Sequence, residues 1–570
     1  MLYALLLIIY FSLFVYLSYK KPHWAVFIII AALPSYAVRF KIKSLPMTLL
    51  EGMILLLFII WAIKKLITLL LKYRQNNTIK IFNLKFLIFK KFLNFLISNI
   101  RAVPIFLFIL AASISAAVSP DKVSALGIWK AYFIEPILFL IVFIDVLKNA
   151  GRPQEVSLHT CHPDQATEER VEGSVIGKTK LSRIPAIHFT ASALAIPALY
   201  ISLFAIYQKF TGAFVPPEFW QPGYHRVTSF FSYPNAIGLL LAPIVMILLG
   251  AAITPVVETH CNTSLRKWFY FFTAILSLAA IIFAKSEGAL IALIAGIFIF
   301  AFLYNKKLRL IAGIIIFLIL SASAGIYIKY GKHWNILFNK TNLFELDNAC
   351  ITDIHIPPPL RRPVRLNRRS GGGQGEVFCK LYQKLTLQDV SGTIRRNMWQ
   401  ETLTMLKEKT LFGAGLAGYQ KTMETYHTKN YVEIYLYPHN IILNFWSETG
   451  LGGLIAFIWL IILFYYYGLY SMNNTTRHPE GAEPSGRRIS WLIDISHLFH
   501  SPLDYSTAPS ALDCSQNNAL LEHVRQRRII ALSILCAMSI LLIHGLVDVP
   551  YFKNDLALLF WVIWGMMIII

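Results

Sequence analysis

Charge is what this chain has least of. Asp, Glu, Lys and Arg make up 15% of its 570 residues, while hydrophobic types make up 56%. A soluble domain carries roughly 25% charged residues. With a mean hydropathy of +0.57, the scarcity excludes a soluble enzyme. The alternating ten-residue strands of a spanning β-barrel are missing too. Instead, apolar Leu/Ile/Phe runs recur, most of them long enough to cross a core about 30 Å thick at about 1.5 Å per residue. The chain reads as an all-α polytopic integral membrane protein. It should have 12–13 transmembrane helices and one large extracytoplasmic loop containing helices.

Other shortages narrow the chemistry. Acidic residues number 30 against 53 basic ones, a net charge of +23. In a soluble protein that excess would point to nucleic acid. Here, cytoplasmic loops rich in Lys and Arg that meet anionic membrane lipids explain it better, and no nucleic-acid partner is expected. The six cysteines, Cys161, Cys261, Cys350, Cys379, Cys514 and Cys536, form no C-x-x-C, so neither a zinc site nor a redox pair is supported. Cys350 and Cys379 share a loop and could bridge outside the cell. No Asp-x-Asp, Asp-Asp or Walker loop occurs, so a carboxylate pair holding a divalent ion on a nucleotide sugar is not written in the usual way. No metal and no cofactor are expected. Leu2–Ser18 lacks a basic n-region and a small-residue cleavage site and reads as an uncleaved first span.

Spans are expected at 2–18, 24–38, 47–63, 103–119, 127–147, 185–208, 235–254, 269–284, 288–304, 309–327, 441–468, 529–547 and 554–570. The second is short and holds Pro34; read as re-entrant, it brings the count to twelve. Segments 64–101, 255–268 and 305–309 carry nine, two and three Lys/Arg, whereas 120–126, 209–234, 285–287 and 548–553 carry one, two, one and one. Fourteen against five places the first group in the cytoplasm. Arg39, Lys41 and Lys43 fall on the outer side and count against this locally. The organisation is an N-terminal bundle over 1–327, an outer loop over 328–440 and C-terminal spans over 441–570.

Three polar stretches, 148–183, 348–385 and 473–528, interrupt this pattern. They are rich in Pro, Gly, Arg and His, lack helical periodicity and hold four of the six cysteines. They resemble translated dispersed genomic repeats inserted into loops, which lengthen at a slowly growing entropic cost. Disorder is expected there, and no function.

The chemistry-bearing residues fall in the outer segments. Loop 209–234 is aromatic throughout and contains one guanidinium, Arg226. Arg offers a permanently charged planar fork suited to phosphate, although an interfacial anchor explains the loop equally well. Asn235 is placed to N-cap the following span. Ile394, Met398, Thr402 and Met405 recur at helical spacing, predicting an amphipathic helix over 393–408 with Arg395 and Arg396 in its first turn. Two cations there concentrate positive potential that an anion could relieve; a solvated face is the plainer explanation. Gly413-Ala414-Gly415-Leu416-Ala417-Gly418 matches G-x-G-x-x-G, but a dinucleotide site needs a preceding strand and a βαβ context. The glycines should instead end the helix and turn the chain.

Pro438-His439-Asn440 stands where the polar segment meets an apolar run. An imidazole exchanges a proton near neutral pH, which suits a general base. Asn440, Asn444 and Glu448 follow at helical spacing as a polar stripe that should face protein or a water-filled cavity. On an ideal helix His439 points away from Glu448, so no direct dyad between them is expected. Glu135 is an intramembrane acid beside Pro136 and a default functional candidate. His544 and Asp548, four apart, can share a helix face. Lys285, Ser286 and Glu287 form a tight polar hairpin. Each of these smaller signals is as readily structural as functional.

Taken together, Arg226-Val227-Thr228-Ser229-Phe230-Phe231-Ser232-Tyr233-Pro234-Asn235, Arg395-Arg396-Asn397-Met398-Trp399, Leu411-Phe412-Gly413-Ala414-Gly415 and Pro438-His439-Asn440 leading to Glu448-Thr449-Gly450 resemble the O-antigen ligase and polymerase superfamily. The resemblance covers most of the chain outside the three polar stretches. It implies a bacterial cytoplasmic-membrane glycosyltransferase whose site faces outside. The donor would be a glycan on a polyprenyl diphosphate, the acceptor a hydroxyl of a lipid or glycan, and neither nucleotide nor divalent metal would take part. By matching position, Arg226 and one of Arg395 or Arg396 would hold the diphosphate and His439 would deprotonate or orient the acceptor. Lys285, Asn440, Glu448, Glu135, His544 and Asp548 are carried as substrate-binding candidates. Many members have Ser-Arg where this chain has Ser286-Glu287, so Lys285 is the substitute cation. The second polar stretch falls inside the catalytic loop. A polymerase of the same superfamily differs only in acceptor. A transporter of lipid-linked glycan is the alternative from another class, and it should show inverted repeats and broken helices near the midplane.

Overall fold

A computed structural model describes residues 2–42, 45–75, 102–150, 184–254, 262–315, 321, 390–428, 433–473 and 514–570. The helices are α1 (Leu2–Lys20), α2 (Pro22–Ala31), α3 (Leu49–Gln75), α4 (Ala102–Val118), α5 (Lys122–Ile128), α6 (Glu135–Ala150), α7 (Ile184–Thr211), α8 (Asn235–Ile253), α9 (Asn262–Phe283), α10 (Glu287–Tyr304), α11 (Val390–Glu408), α12 (Tyr419–Met423), α13 (Ile441–Asn473), α14 (Cys514–His544) and α15 (Asn554–Ile569). Two small antiparallel ribbons complete the described part. Arg39–Ile42 pairs with Leu45–Thr48, and Trp220–Gln221 pairs with Tyr224–His225. The protein is an all-α, multi-pass membrane protein. Among the described residues, six helices are long and apolar enough to cross a bilayer, judged by length and composition.

The spanning helices are apolar over most of their surface, but their two faces differ in side-chain size. On α10, Ala289, Ala292 and Gly296 are buried while Ile291, Ile294 and Ile297 are exposed. On α9, Ala274, Ser277 and Ile281 turn inward while Ile275, Leu278 and Ile282 turn out. Small residues inside let backbones approach, and large aliphatic ones outside meet lipid. Helix α8 is the hub of the bundle and packs against α7, α9, α10 and α14. A Cβ at Gly250 would overlap the Ser533 side chain of α14, so only glycine permits that crossing. Helix α15 is buried along almost its whole length and lies against α6.

Contacts between several connecting segments collect at one end of the bundle. There, Leu49 N–H donates to Val38 O (2.9 Å). Ser119 Oγ donates to Leu416 O (2.6 Å), and Asn554 Nδ2 donates to Glu51 Oε1 (3.1 Å). At the opposite end Lys65 pairs with Asp145 at 2.8 Å, Lys64 donates to Tyr19 O, and Arg528 donates to Leu303 O (3.3 Å). Loops 209–234, 285–287 and 548–553, expected on one side, share one end with the described part of 391–440.

Several boundaries differ from expectation. Residues 122–126, expected in a loop, are helical and lead into the expected span, because Asp121 accepts from Ser124 N–H (3.1 Å) and caps the helix. A π-turn at Trp129–Ile134 then leads into α6. The run after Ala31 becomes a 3-10 turn holding Pro34 rather than more α-helix. Helix α14 begins at Cys514, inside the third polar stretch, where no helix was expected. Farther along the same helix Gln526 is buried. The 348–385 stretch, with Cys350 and Cys379, lies outside the described residues, as do 151–183 and 474–513.

Candidate active site

The turn between α14 and α15 organises the site. Four consecutive residues of it each grip a different partner. Gly545 O accepts from Ile441 N–H (2.7 Å), and Leu546 O accepts from Asn440 Nδ2 (3.1 Å). Val547 O accepts from Arg395 Nε (3.0 Å). The Asp548 carboxylate accepts from His439 Nδ1 at 3.4 Å on Oδ1 and from Asn235 Nδ2 at 3.2 Å on Oδ2. Three distant pieces of chain are thereby docked on one short turn.

His439 is held from both sides. Its neighbour Pro438 accepts at its carbonyl from Trp399 Nε1 (2.7 Å). Asn440 Oδ1 accepts from Ile442 N–H (3.0 Å) and Leu443 N–H (3.1 Å), so Asn440 caps α13. Between these anchors His439 adopts φ 46°. That left-handed conformation costs a non-glycine residue about 1–3 kcal/mol and persists only where surrounding contacts impose it. The imidazole is one-third exposed, at 33%, whereas Asp548 is 7% exposed. An ionised carboxylate only accepts, so Nδ1 carries the proton in this contact. Nε2 is left as the basic nitrogen, and among the described residues it makes no hydrogen bond. Tyr435 sets its ring edge-on to the imidazole at 5.5 Å.

Burial pushes the Asp548 carboxyl up. The hydrogen bond and charge of His439, the nearby His544 and the Val549 N–H outweigh that and hold it below the usual carboxylate range. Asp548 is therefore an anion at neutral pH, suited to orienting an imidazole.

Arg226 reaches the same carboxylate through one intermediary. Its Nη2 donates to Asn235 Oδ1 (2.7 Å), and Asn235 Nδ2 donates in turn to Asp548. Arg226 Nε donates to Ala284 O (2.8 Å), and Nη2 also approaches Lys285 O at 3.4 Å. These acceptors are amide oxygens, and they hold the guanidinium against the 284–285 turn and Asn235. Asn235 was expected to N-cap α8. The cap position is Pro234, with no side-chain cap, and the Asn235 amide is spent on linking Arg226 to Asp548.

The two arginines of α11 separate. Arg395 is half-buried on the Val547 carbonyl and also donates to Ser391 Oγ, one turn earlier. Arg396 is exposed. The helix starts at least as early as Val390, so neither residue lies in a first turn and the expected dipole effect does not apply.

The remaining candidates scatter. Lys285 is exposed, and it is its carbonyl that touches Arg226. His544 ends α14, so it is not paired with Asp548 by helical spacing, although it lies close enough to act on that carboxylate. Glu135 is buried and belongs to a separate ion cluster. Its partner Lys130 lies 3.9 Å away and is 3.1 Å from Glu51. Asn444 and Glu448 are fully buried in protein. Glu448 Oε2 accepts from Ala417 N–H (2.7 Å), far from His439 in bonding terms. The G-x-G-x-x-G loop thus folds around an internal carboxylate. Gly413 (φ 62°) and Gly415 (φ 82°) need left-handed backbone, and a Cβ at Gly413 would overlap the Ser447 carbonyl. The loop packs where α13 kinks at Gly450, with Leu451 N–H donating to Leu411 O (3.1 Å).

Residues 272–458 match the family model described as O-antigen ligase. That segment, about a third of the chain, is similar to the O-antigen ligase family. The matched segment holds Lys285, Arg395, His439, Asn440 and Glu448; Arg226, Asn235 and Asp548 lie outside it and join through the contacts above. No curated protein matches the chain. The similarity supports a membrane enzyme of the ligase and glycosyltransferase kind, concerned with O-antigen and related surface polysaccharide. Sequence reasoning gave Asp548 a minor place and missed Asn235 as a link. The one available signal was a buried-type acid placed at the tip of a short interspan turn.

Proposed function

We propose that the protein transfers a glycan from a polyprenyl-diphosphate carrier to an acceptor hydroxyl at the outer face of the cytoplasmic membrane. The observation that carries this reading is the continuity of His439, Asp548, Asn235 and Arg226: a base and a cation tied to one buried carboxylate. The acceptor hydroxyl gives its proton to His439 Nε2. Its oxygen forms the new bond to the anomeric carbon as the bond from that carbon to the diphosphate oxygen breaks. The bonding pair leaves with the diphosphate, and Arg226 and Arg395 stabilise the charge that develops there. Asp548 keeps the imidazole oriented and stabilises the imidazolium formed.

The donor, the acceptor hydroxyl and the outward orientation rest on family resemblance and on the charge distribution of the loops. Ligase and polymerase differ only in which hydroxyl arrives. A transporter is less well supported, because the site residues gather at one end of the bundle instead of at its middle.

The test is purified protein in liposomes carrying a polyprenyl-diphosphate glycan. Transfer that appears with wild type and vanishes in His439→Ala and Arg226→Ala supports the reading. Movement of intact lipid across the bilayer, unaffected by both changes, would replace it with transport.

A further inference from the structure

Lys553 closes the turn that carries Asp548, and its surroundings are unusual for an ammonium. Its Nζ faces three aromatic rings: Tyr36 at 5.1 Å, Phe231 at 4.9 Å and Tyr233 at 4.9 Å from the ring centroids. Two of those rings come from the loop between Arg226 and Asn235, the residues that link to Asp548. Among the described residues Nζ makes no ion pair and no hydrogen bond. Ring faces attract a cation without neutralising it, and they accept N–H bonds poorly. The side chain is half-buried, so its donors are only partly supplied by water.

A counter-ion role would place the ammonium against a carboxylate. Asp548 uses its oxygens on His439, Val549 N–H and Asn235. Asp555 is buried with Oδ1 lacking any hydrogen bond and attracts Lys553 electrostatically, yet the ammonium stands against the rings and no ion pair within 4.0 Å joins the two. The cage therefore holds a positive charge with spare donors beside the proposed leaving-group site.

We propose that Lys553 binds the leaving diphosphate, contacting one phosphoryl group while Arg226 contacts the other. The inference rests on the transfer reading above. When the glycosyl C–O bond breaks, the electron pair stays on the diphosphate oxygen, and the Lys553 N–H groups donate to the phosphoryl oxygens. Two cations approaching from different elements select a diphosphate over a monophosphate.

The experiment measures binding of a polyprenyl diphosphate and a polyprenyl monophosphate to the full-length protein in detergent. Lys553→Met should weaken the diphosphate by about tenfold or more, as expected for a lost charged hydrogen bond, and leave the monophosphate within about twofold. Lys553→Arg keeps the charge and should retain the preference. If Lys553→Met does not fold, Lys553→Gln decides in its place. An unchanged preference in the uncharged variant overturns the inference. Restoration of diphosphate affinity by adding Asp555→Asn also overturns it, because it would make Lys553 a counter-ion only. Where Arg226→Ala weakens the diphosphate and Lys553→Met does not, this inference alone falls. Where wild type shows no preference and Arg226→Ala changes nothing, the transfer reading falls as well.

Discussion

The Asp548 carboxylate lies 3.4 Å from Nδ1 of His439 and, through its other oxygen, holds the Asn235 amide that binds Arg226. One anion on a short turn thereby sets the position of both a base and a cation. Substituting it should disturb the two together.

Asp548→Asn should lower the transfer rate by about tenfold or more, because an amide can leave the imidazole in the wrong tautomer. It should also change how stability depends on pH. The folded carboxyl is held below its usual range, while the unfolded one titrates near pH 3.9. Within that window the unfolded state binds more protons, so stability rises with pH. The contribution is complete above about pH 5 and drains away as pH falls below about 4. Thermal unfolding in detergent should show a gap between wild type and Asp548→Asn that is constant at neutral pH and narrows in acid.

Arg395→Ala should reduce turnover by about ten- to a hundredfold, by loss of a charge-assisted contact and of the Val547 tether. Arg396→Ala, at an exposed position one residue on, should stay within about twofold of wild type. Equal losses in the two variants would contradict the assignment of Arg395 to the site.

Gly413→Ala should destabilise the protein by about 1–3 kcal/mol or more, since it needs a left-handed alanine and its Cβ overlaps the Ser447 carbonyl. Lower yield and a lower unfolding temperature are the readouts. Gly452→Ala, where a Cβ meets nothing nearby, serves as the neutral comparison.

Orientation is tested by cysteine labelling in a cysteine-free background. In sealed right-side-out vesicles an impermeant maleimide should label Lys421→Cys, at the site end. It should spare Lys307→Cys, at the opposite end, until the membrane is opened. The reverse pattern would turn the site toward the cytoplasm.

Much of this was legible in the residues, and the exceptions have physical causes. Membrane character and most spans follow from apolar runs, whose length is set by the bilayer. Arg226 stands out as the one guanidinium of an aromatic loop, and His439 as an imidazole at the start of an apolar run. Asp548 did not, because its importance comes from contacts with residues 109 and 313 positions away. Asn235 looks like a cap from its place after Pro234, and only the packing of α8 against the α14–α15 turn reassigns its amide. Choosing Arg395 over Arg396 needs the rotational phase of α11 against Val547, which periodicity alone leaves open. The start of α14 at Cys514 escaped because polar composition hides a helix that continues out of the membrane.

The central claim is that His439 acts on the acceptor and not on donor binding. The direct measurement is the rate of glycan transfer by His439→Ala at saturating donor, with donor affinity taken on the same preparation. The rate should fall by about 10²–10⁴-fold while the donor Kd stays within about twofold. A rate within tenfold of wild type, or a loss explained wholly by weaker donor binding, would contradict the account.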